Sequence, residues 1–312
     1  MKIGIDIMGG DNAPDANLRG AYLASKELSD SEKIVLVGDK DLAIKWFSSN
    51  NIDSSIFEYI HADEVIHMNE HATKAIRKKP NNSISVGFRA LKSKEIDVFS
   101  SSGNSGAMLV GSMFSIGPIK GVIRPGITSV LPKENGGVGL ILDVGVNADC
   151  KPDVLFQFAI LGSLFAENVY NIKTPKVGLL NIGEEKGKGN LLTQATYQLL
   201  EDNEDINFIG NVEGRDLFND KADVIVCDGF TGNVVLKLAE SFYTLMKKKQ
   251  LSDAYFDRFN YEIYGGTPVL GVDGNVLIGH GISNEHAVKN MLLLGKDLIN
   301  SQLNSKIKTA FK

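Results

Sequence analysis

Four glycine-rich turns, each directly behind a short apolar run, constrain the fold of this chain more than any other feature. Ile3–Ile7 runs into Gly9-Gly10-Asp11, and Asp97–Phe99 into Ser102-Gly103-Asn104-Ser105-Gly106. Leu140–Leu142 runs into Asp143-Val144-Gly145-Val146-Asn147, and Val224–Val226 into Asp228-Gly229-Phe230-Thr231-Gly232-Asn233. Further strand-like runs fall at Ile34–Val37, Ile56–Ile60, Ile127–Leu131, Val138–Leu142, Val177–Leu180 and Ile206–Ile209. Longer helix-like segments alternate with them, at Pro14–Leu28, Asp41–Phe47, Ser83–Leu91, Gly106–Phe114, Pro152–Val169, Leu191–Leu200, Val234–Lys247 and Ser283–Leu303. Alternation of this kind predicts an α/β protein built from βαβ units, with a mostly parallel sheet and helices on both faces. Ligands of such sheets bind at the carboxyl ends of the strands, so the four turns are expected to form one active-site face. The turn at Gly103–Gly106 stands out. It opens a helix, its first N–H groups have no internal partner, and the hydroxyls of Ser102 and Ser105 are expected to converge there, which describes an anion site.

Length and charge narrow the classes. A chain of 312 residues without internal repeat or low-complexity linker reads as one domain over 1–312, with a helical excursion at about 234–264. The excursion carries Lys247-Lys248-Lys249 and then Tyr255, Phe256, Phe259, Tyr261 and Tyr264. A net charge of −5 argues against a general nucleic-acid binder. Met1-Lys2 leads straight into the first strand, no signal-peptide pattern is visible, and no apolar run is long enough to span a membrane, so a cytoplasmic location is expected. Cys150 and Cys227 do not form a disulfide framework, which fits a reducing compartment.

Familiar catalytic motifs fail on inspection. G-x-G-x-x-G follows no strand. The loop Gly183–Gly189 is one residue short of a P-loop before Gly-Lys, lacks the following Ser or Thr, and carries two acids. His67 and His71 could share a helix face, but Glu70 is misplaced for a zinc protease, and no metal or cofactor is expected. Ser105 sits in no G-x-S-x-G elbow, and neither cysteine has a neighbouring base.

The turns themselves resemble a known family, the bacterial phosphate acyltransferases of phospholipid synthesis (the PlsX family). The resemblance rests on Asp6–Pro14, Ser102–Ala107, Leu142–Pro152, Gly178–Glu185, Gly210–Gly214, Asp228–Asn233, and Tyr264–Pro268 with Gly279-His280-Gly281, in order from end to end. Ser105 stands where the family usually has Thr, and the excursion is shorter and less apolar than in many relatives. The resemblance implies transfer of a fatty acyl group from acyl-acyl carrier protein to inorganic phosphate. It also implies an isopropylmalate-dehydrogenase-like, phosphotransacylase-like fold, a homodimer, peripheral contact with the inner face of the membrane, and a downstream membrane acyltransferase as partner. A short-chain phosphotransacylase using acyl-coenzyme A is the alternative.

A thioester is already activated and phosphate is largely ionised at pH 7, so positioning and electrostatics can supply most of the rate without a protein nucleophile. Asn104, Ser105 and His280 are read as catalytic, with Gly103 and Gly106 completing the phosphate turn; the alternative for Gly103–Gly106 is an ordinary helix cap. His280 protonates the leaving thiolate or holds a loop. Gly9, Gly10 and Asp11 bind substrate or make a tight turn in which Asp11 caps the helix from Pro14. Arg124 reads phosphate or joins an ion pair. Asp143 and Asn147 serve the site or brace loops, and Thr231, Gly232 and Asn233 serve the site or cap a helix.

Overall fold

In the computed structural model, which describes residues 1–312, the apolar runs become strands and the amphipathic segments become helices. The strands are β1 (Lys2–Asp6), β2 (Lys33–Gly38), β3 (Glu58–His61), β4 (Val98–Ser101), β5 (Gly126–Pro132), β6 (Val138–Leu142), β7 (Val177–Leu180), β8 (Phe208–Val212), β9 (Val224–Val226), β10 (Thr267–Leu270) and β11 (Asn275–Ile278). The helices are α1 (Asp15–Ser25), α2 (Lys40–Ser49), α3 (Ala72–Lys78), α4 (Ser83–Lys92), α5 (Ser105–Gly111), α6 (Pro152–Val169), α7 (Leu191–Glu201), α8 (Gly229–Lys248), α9 (Ala254–Asp257), α10 (Glu285–Asn300) and α11 (Leu303–Ala310). They fall into two units, Met1–Pro118 with Tyr261–Asn300, and Ile119–Asn260 with Ser301–Lys312.

The first unit orders its strands β3-β2-β1-β4-β11-β10, all parallel except the β10–β11 hairpin. Neighbouring residues of a strand point to opposite faces, and β4 shows what covers each. A Cβ on Gly295 of α10 would lie 3.3 Å from Val98, while one on Gly87 of α4 would lie 2.1 Å from the Phe99 ring. So α10 and α4 cover opposite faces of the sheet. Phe99 is fully buried and meets Phe88 edge-on at 5.2 Å. Such a pair adds about 0.5–1.5 kcal/mol beyond its area burial. Helix α1 packs on α10, with Gly20 against Val288.

The second unit orders its strands β5-β6-β9-β7-β8, with only β5 antiparallel. Helix α6 begins with Pro at its first position, where a missing N–H costs nothing. It buries Val154, Leu155, Phe158, Leu161 and Phe165, and its Gly162 lies against Val224 of β9. Lys133 is buried with its ammonium 2.6 Å from Asp223 and 2.8 Å from Asp220, and Asp223 also accepts the Lys176 N–H at 2.7 Å. Burying this cation without both carboxylates would be costly.

Several boundaries depart from the sequence pattern. The hairpin β10–β11 was not foreseen, because its strands are four residues each, one contains Pro268, and Gly271-Val272-Asp273-Gly274 separates them. Helix α3 was missed because only Ala75 is buried in it, which leaves no apolar periodicity to read. The segment expected as one helix from Ser283 to Leu303 is two, α10 and α11, divided at Gln302, which takes a left-handed conformation at φ 53°. Asp11 does not cap α1: the cap position is Pro14, with no side-chain hydrogen bond, and Asp11 instead donates its N–H to Gly281. His67 and His71 do not share a helix, since His71 is the cap of α3 and His67 lies in the turn before it. No helix is long and apolar enough to cross a membrane.

Candidate active site

In the first unit the parallel strands β1, β4 and β11 end side by side, and the turns behind them interlock. Gly9 lies against Gly103 so closely that a Cβ on Gly9 would fall 2.7 Å from the Gly103 Cα. Gly10 has φ +106°, a conformation open to glycine. The Asp11 N–H donates to the Gly281 carbonyl at 2.7 Å, and the Gly279 N–H to the Ser101 carbonyl at 2.9 Å. Gly9, Gly10, Asp11, Gly103 and the Gly279-His280-Gly281 turn are therefore brought together. The half-buried His280 ring lies 4.5 Å from that of Tyr261.

Beneath the turns sits Asp6, at 1% exposure. It accepts the Ser101 hydroxyl at 2.7 Å and the Met8 N–H at 2.9 Å. Burial pushes its carboxyl upward, while hydroxyl and N–H donors oppose the shift. Ser101 in turn accepts the Gly103 N–H at 2.9 Å, and the Asn17 amide donates to the carbonyls of Ile7 and Gly9. These supporting residues, Asp6, Asn17 and Ser101, were not singled out from sequence. The one signal was a carboxylate at the end of an apolar run.

Asn104 caps α5 by accepting the Ala107 N–H at 3.0 Å, and its amide donates to the carbonyls of His67, Met68 and Glu70. It thereby holds the 67–70 turn against the start of α5. Ser105 is exposed in the first helical turn and Gly106 is half-buried beside it; their N–H groups take no acceptor within the chain. Helix α5 continues into a π-helical turn at Ser112–Ile116. Of the two hydroxyls expected to meet here, Ser105 is exposed and Ser102 is buried. Ser102 is buried, without a hydrogen-bond partner, against Gly279, where a Cβ would lie 2.4 Å from its Oγ. A cleft of about 240 Å³ opens beside Gly10 and Asp11, lined also by Met8 and the 65–69 turn.

In the second unit the ends of β6 and β9 build another cluster. Asp143 is fully buried. One of its oxygens accepts the Ile127 N–H at 2.9 Å, and the other accepts the Asn147 N–H at 2.6 Å and the Asn147 amide at 2.9 Å. Desolvation raises its pKa, against these donors. The Asn147 amide also reaches the Pro125 carbonyl, so Asp143 and Asn147 join the β6 turn to the start of β5. The β9 turn locks on as well: the Gly229 N–H donates to Asn147, and a Cβ on Gly232 would fall 2.0 Å from the Asp143 carbonyl oxygen. Asp228 caps α8 and takes both the N–H and the hydroxyl of Thr231. Asn233 is exposed, its side chain beside Gly145. Arg124 is exposed and donates to the Asp149 carbonyl at 3.2 Å.

Around Asp228 and Thr231 lie two clefts. One, of about 420 Å³, is walled by Leu155, Leu180, Ile182 and Cys227 and edged by Asn190 and Thr193. The other, of about 510 Å³, shares Asn190, Asp228 and Thr231 and adds Cys150 and Phe230. Burial, reinforced by the carboxylates of Asp143 and Asp228, pushes the Cys150 thiol up to about 11, and burial raises that of Cys227 well above its usual value. Neither cysteine is a thiolate at neutral pH, so neither is an activated nucleophile. No three His, Cys, Asp or Glu side chains are grouped to hold a metal ion.

The chain is similar to known proteins over nearly its whole length. Residues 1–306 match the family described as "Fatty acid synthesis protein". The chain is 41% identical, over 326 aligned positions, to the phosphate acyltransferase of Dictyoglomus turgidum, covering 98% of this chain and 96% of that one. It is 43% identical to the phosphate acyltransferase of Desulforamulus reducens, covering 100% and 98%. Among solved structures it is similar to the EutD phosphotransacetylase of Staphylococcus aureus, with a TM-score of 0.64 at 14% identity over 96% of this chain and 94% of that one, a likeness of fold. With end-to-end identity above 40% to enzymes of one activity, the chain belongs to the phosphate acyltransferase family.

Proposed function

We propose that this protein transfers a fatty acyl group from acyl-acyl carrier protein to inorganic phosphate, giving an acyl phosphate for phospholipid synthesis. The observation that carries the reading is the end-to-end kinship with phosphate acyltransferases. A phosphate oxygen attacks the thioester carbonyl carbon, the new C–O bond forms, the C–S bond breaks, and the carrier thiolate leaves and takes up a proton. Phosphate is assigned to the free N–H groups of Ser105 and Gly106 and to the Ser105 hydroxyl, where the positive end of α5 favours an anion. Asn104 positions that turn. His280 is assigned as proton donor to the thiolate. In the first unit Gly9, Gly10, Asp11 and Gly103 fix the turns; in the second, Asp143, Asn147 and the buried Gly232 do so, and Arg124, Thr231 and Asn233 are assigned to substrate.

The apolar cleft of about 420 Å³ favours a fatty chain over the short-chain, coenzyme A alternative. Its only charged lining group, Asp228, is engaged in capping α8. A homodimer is assigned to the outer face of α8, where Phe230, Val234, Leu238 and Leu245 are 53–67% exposed at helical spacing, opposite the buried Gly232 and Ala239. The protein is placed in the cytoplasm, supplying its product to a membrane acyltransferase. In the tip after α8, Tyr255, Phe256 and Phe259 pack on one another and onto Phe218 and the α8 residue Phe242. Membrane contact would therefore fall to Lys248, Lys249 and Leu251, a salt-sensitive encounter.

The test is direct. Purified protein is incubated with phosphate and either palmitoyl-acyl carrier protein or acetyl-coenzyme A, and acyl phosphate is trapped as the hydroxamate. Product from the carrier substrate alone is expected. Product from acetyl-coenzyme A alone would establish the alternative, and none from either would end both.

A further inference from the structure

Helix α3, hidden from sequence patterning, lies against the start of α5: the Ala72 Cβ is 3.2 Å from where a Cβ on Gly106 would stand. Its inward side is Ala72, Ala75 and Ile76. Lys74, Arg77 and Lys78 project from the other side, within about 100° of arc at helical spacing. All three are exposed, and none is within ion-pair distance of a carboxylate. The next cation, Lys79, is taken by Glu70 at 2.5 Å. No acid lies on α3. Arg77 and Lys78 complement the negative end of the helix, but Lys74 sits in its first half. Three free cations on two turns stand out in a chain of net charge −5.

We propose that this face of α3 is where an acidic carrier protein docks to present its thioester, an inference that rests on the transfer proposed above. Charge complementarity selects the partner: three unpaired cations attract an acidic protein surface and speed its encounter. An anionic membrane suits the face less well. No Trp, Phe or Leu lies on α3, whereas interfacial helices bring such residues beside their basic ones. Position fits too: α3 packs directly against the start of α5, so the basic face belongs to the element next to Ser105 and Gly106.

The test uses the variant Lys74→Glu/Arg77→Glu/Lys78→Glu and its milder counterpart Lys74→Gln/Arg77→Gln/Lys78→Gln. The KM for acyl-acyl carrier protein should rise about tenfold in the first and less in the second, and the salt dependence of the wild-type KM should flatten. The KM for phosphate and the rate with acyl-pantetheine, which carries the same thioester without a protein, should stay within about twofold. Unchanged carrier KM in both variants overturns the proposal. Fluorescence anisotropy of labelled carrier separates it from the reaction itself. Carrier that binds wild type and not the Glu variant, without turnover, keeps the docking face and removes the transfer reading. Carrier that binds all three equally removes the docking face. Flotation with phosphatidylglycerol vesicles that depends on these cations, in the absence of carrier binding, would assign the face to a membrane instead.

Discussion

Replacing Gly9 by Ala tests the interlocked turns most sharply. The added Cβ would lie 2.4 Å from the Asp6 Oδ2, 2.7 Å from the Gly103 Cα and 2.8 Å from the Gly103 nitrogen. Ordinary contact begins near 3.4 Å, so two pieces of main chain must part by roughly 0.7 Å. Neither side yields readily. Asp6 is held by Ser101 and Met8, Gly103 by Ser101, and Gly9 by Asn17. Overpacking costs about 1–3 kcal/mol, and with backbone on one side and a buried carboxylate on the other the upper part of that range applies, about 2–3 kcal/mol. At about 1.5 °C per kcal/mol for a chain of 312 residues, Tm should fall by about 3–5 °C. The separation also moves the turn carrying Ser105 and Gly106, so the KM for phosphate should rise. Gly187→Ala is the control, because nothing lies within 4 Å of its added Cβ; its effect should stay within about 0.5 kcal/mol. Calorimetry and phosphate saturation on both variants decide. If Gly9→Ala melts with Gly187→Ala and keeps the wild-type KM, the close contact of the two turns is not a feature of the working site.

Ser105→Asp should leave the melt unchanged, since a carboxylate at a helix start is tolerated, but should abolish phosphate saturation by setting a like charge in the anion site; near-normal saturation removes the assignment. Cys150→Ala and Cys227→Ala should each still form acyl phosphate, and an acylated enzyme trapped on the kinetic pathway would contradict direct attack by phosphate. With its thiol pushed up to about 11, Cys150 should be alkylated by iodoacetamide at a rate that climbs through pH 10, because burial favours the protonated form until the pH passes that value; a plateau near pH 9 would refute the shift. Leu238→Glu should convert a dimer to monomer in sedimentation at micromolar concentration, and a variant that remains dimeric would clear the outer face of α8 of that role.

The alternation of apolar runs and amphipathic segments determined the α/β class, because period and length of burial are local properties that a sheet covered on both faces imposes on its own chain. It fixed α6 to the residue, from Pro152 to Val169, since Pro at the first position marks a helix start. The glycine-rich turns also announced themselves, as small residues at strand ends are needed for close backbone approach. Tertiary structure decided what each turn residue does. Asn104 names itself as a cap in sequence, but only the fold brings the carbonyls of His67, Met68 and Glu70 to its amide. Asp143 could serve a ligand or a loop in sequence, and three donors from Ile127 and Asn147 show it bracing the loop. Ser102 and Ser105 look equivalent on paper, yet one hydroxyl is buried against Gly279 and the other is exposed. Helix α3 and the β10–β11 hairpin left no periodic trace, because α3 buries only Ala75 and each hairpin strand is four residues long, and such short elements are specified by what they pack against; for α3 that neighbour, the start of α5, lies some thirty residues further along the chain.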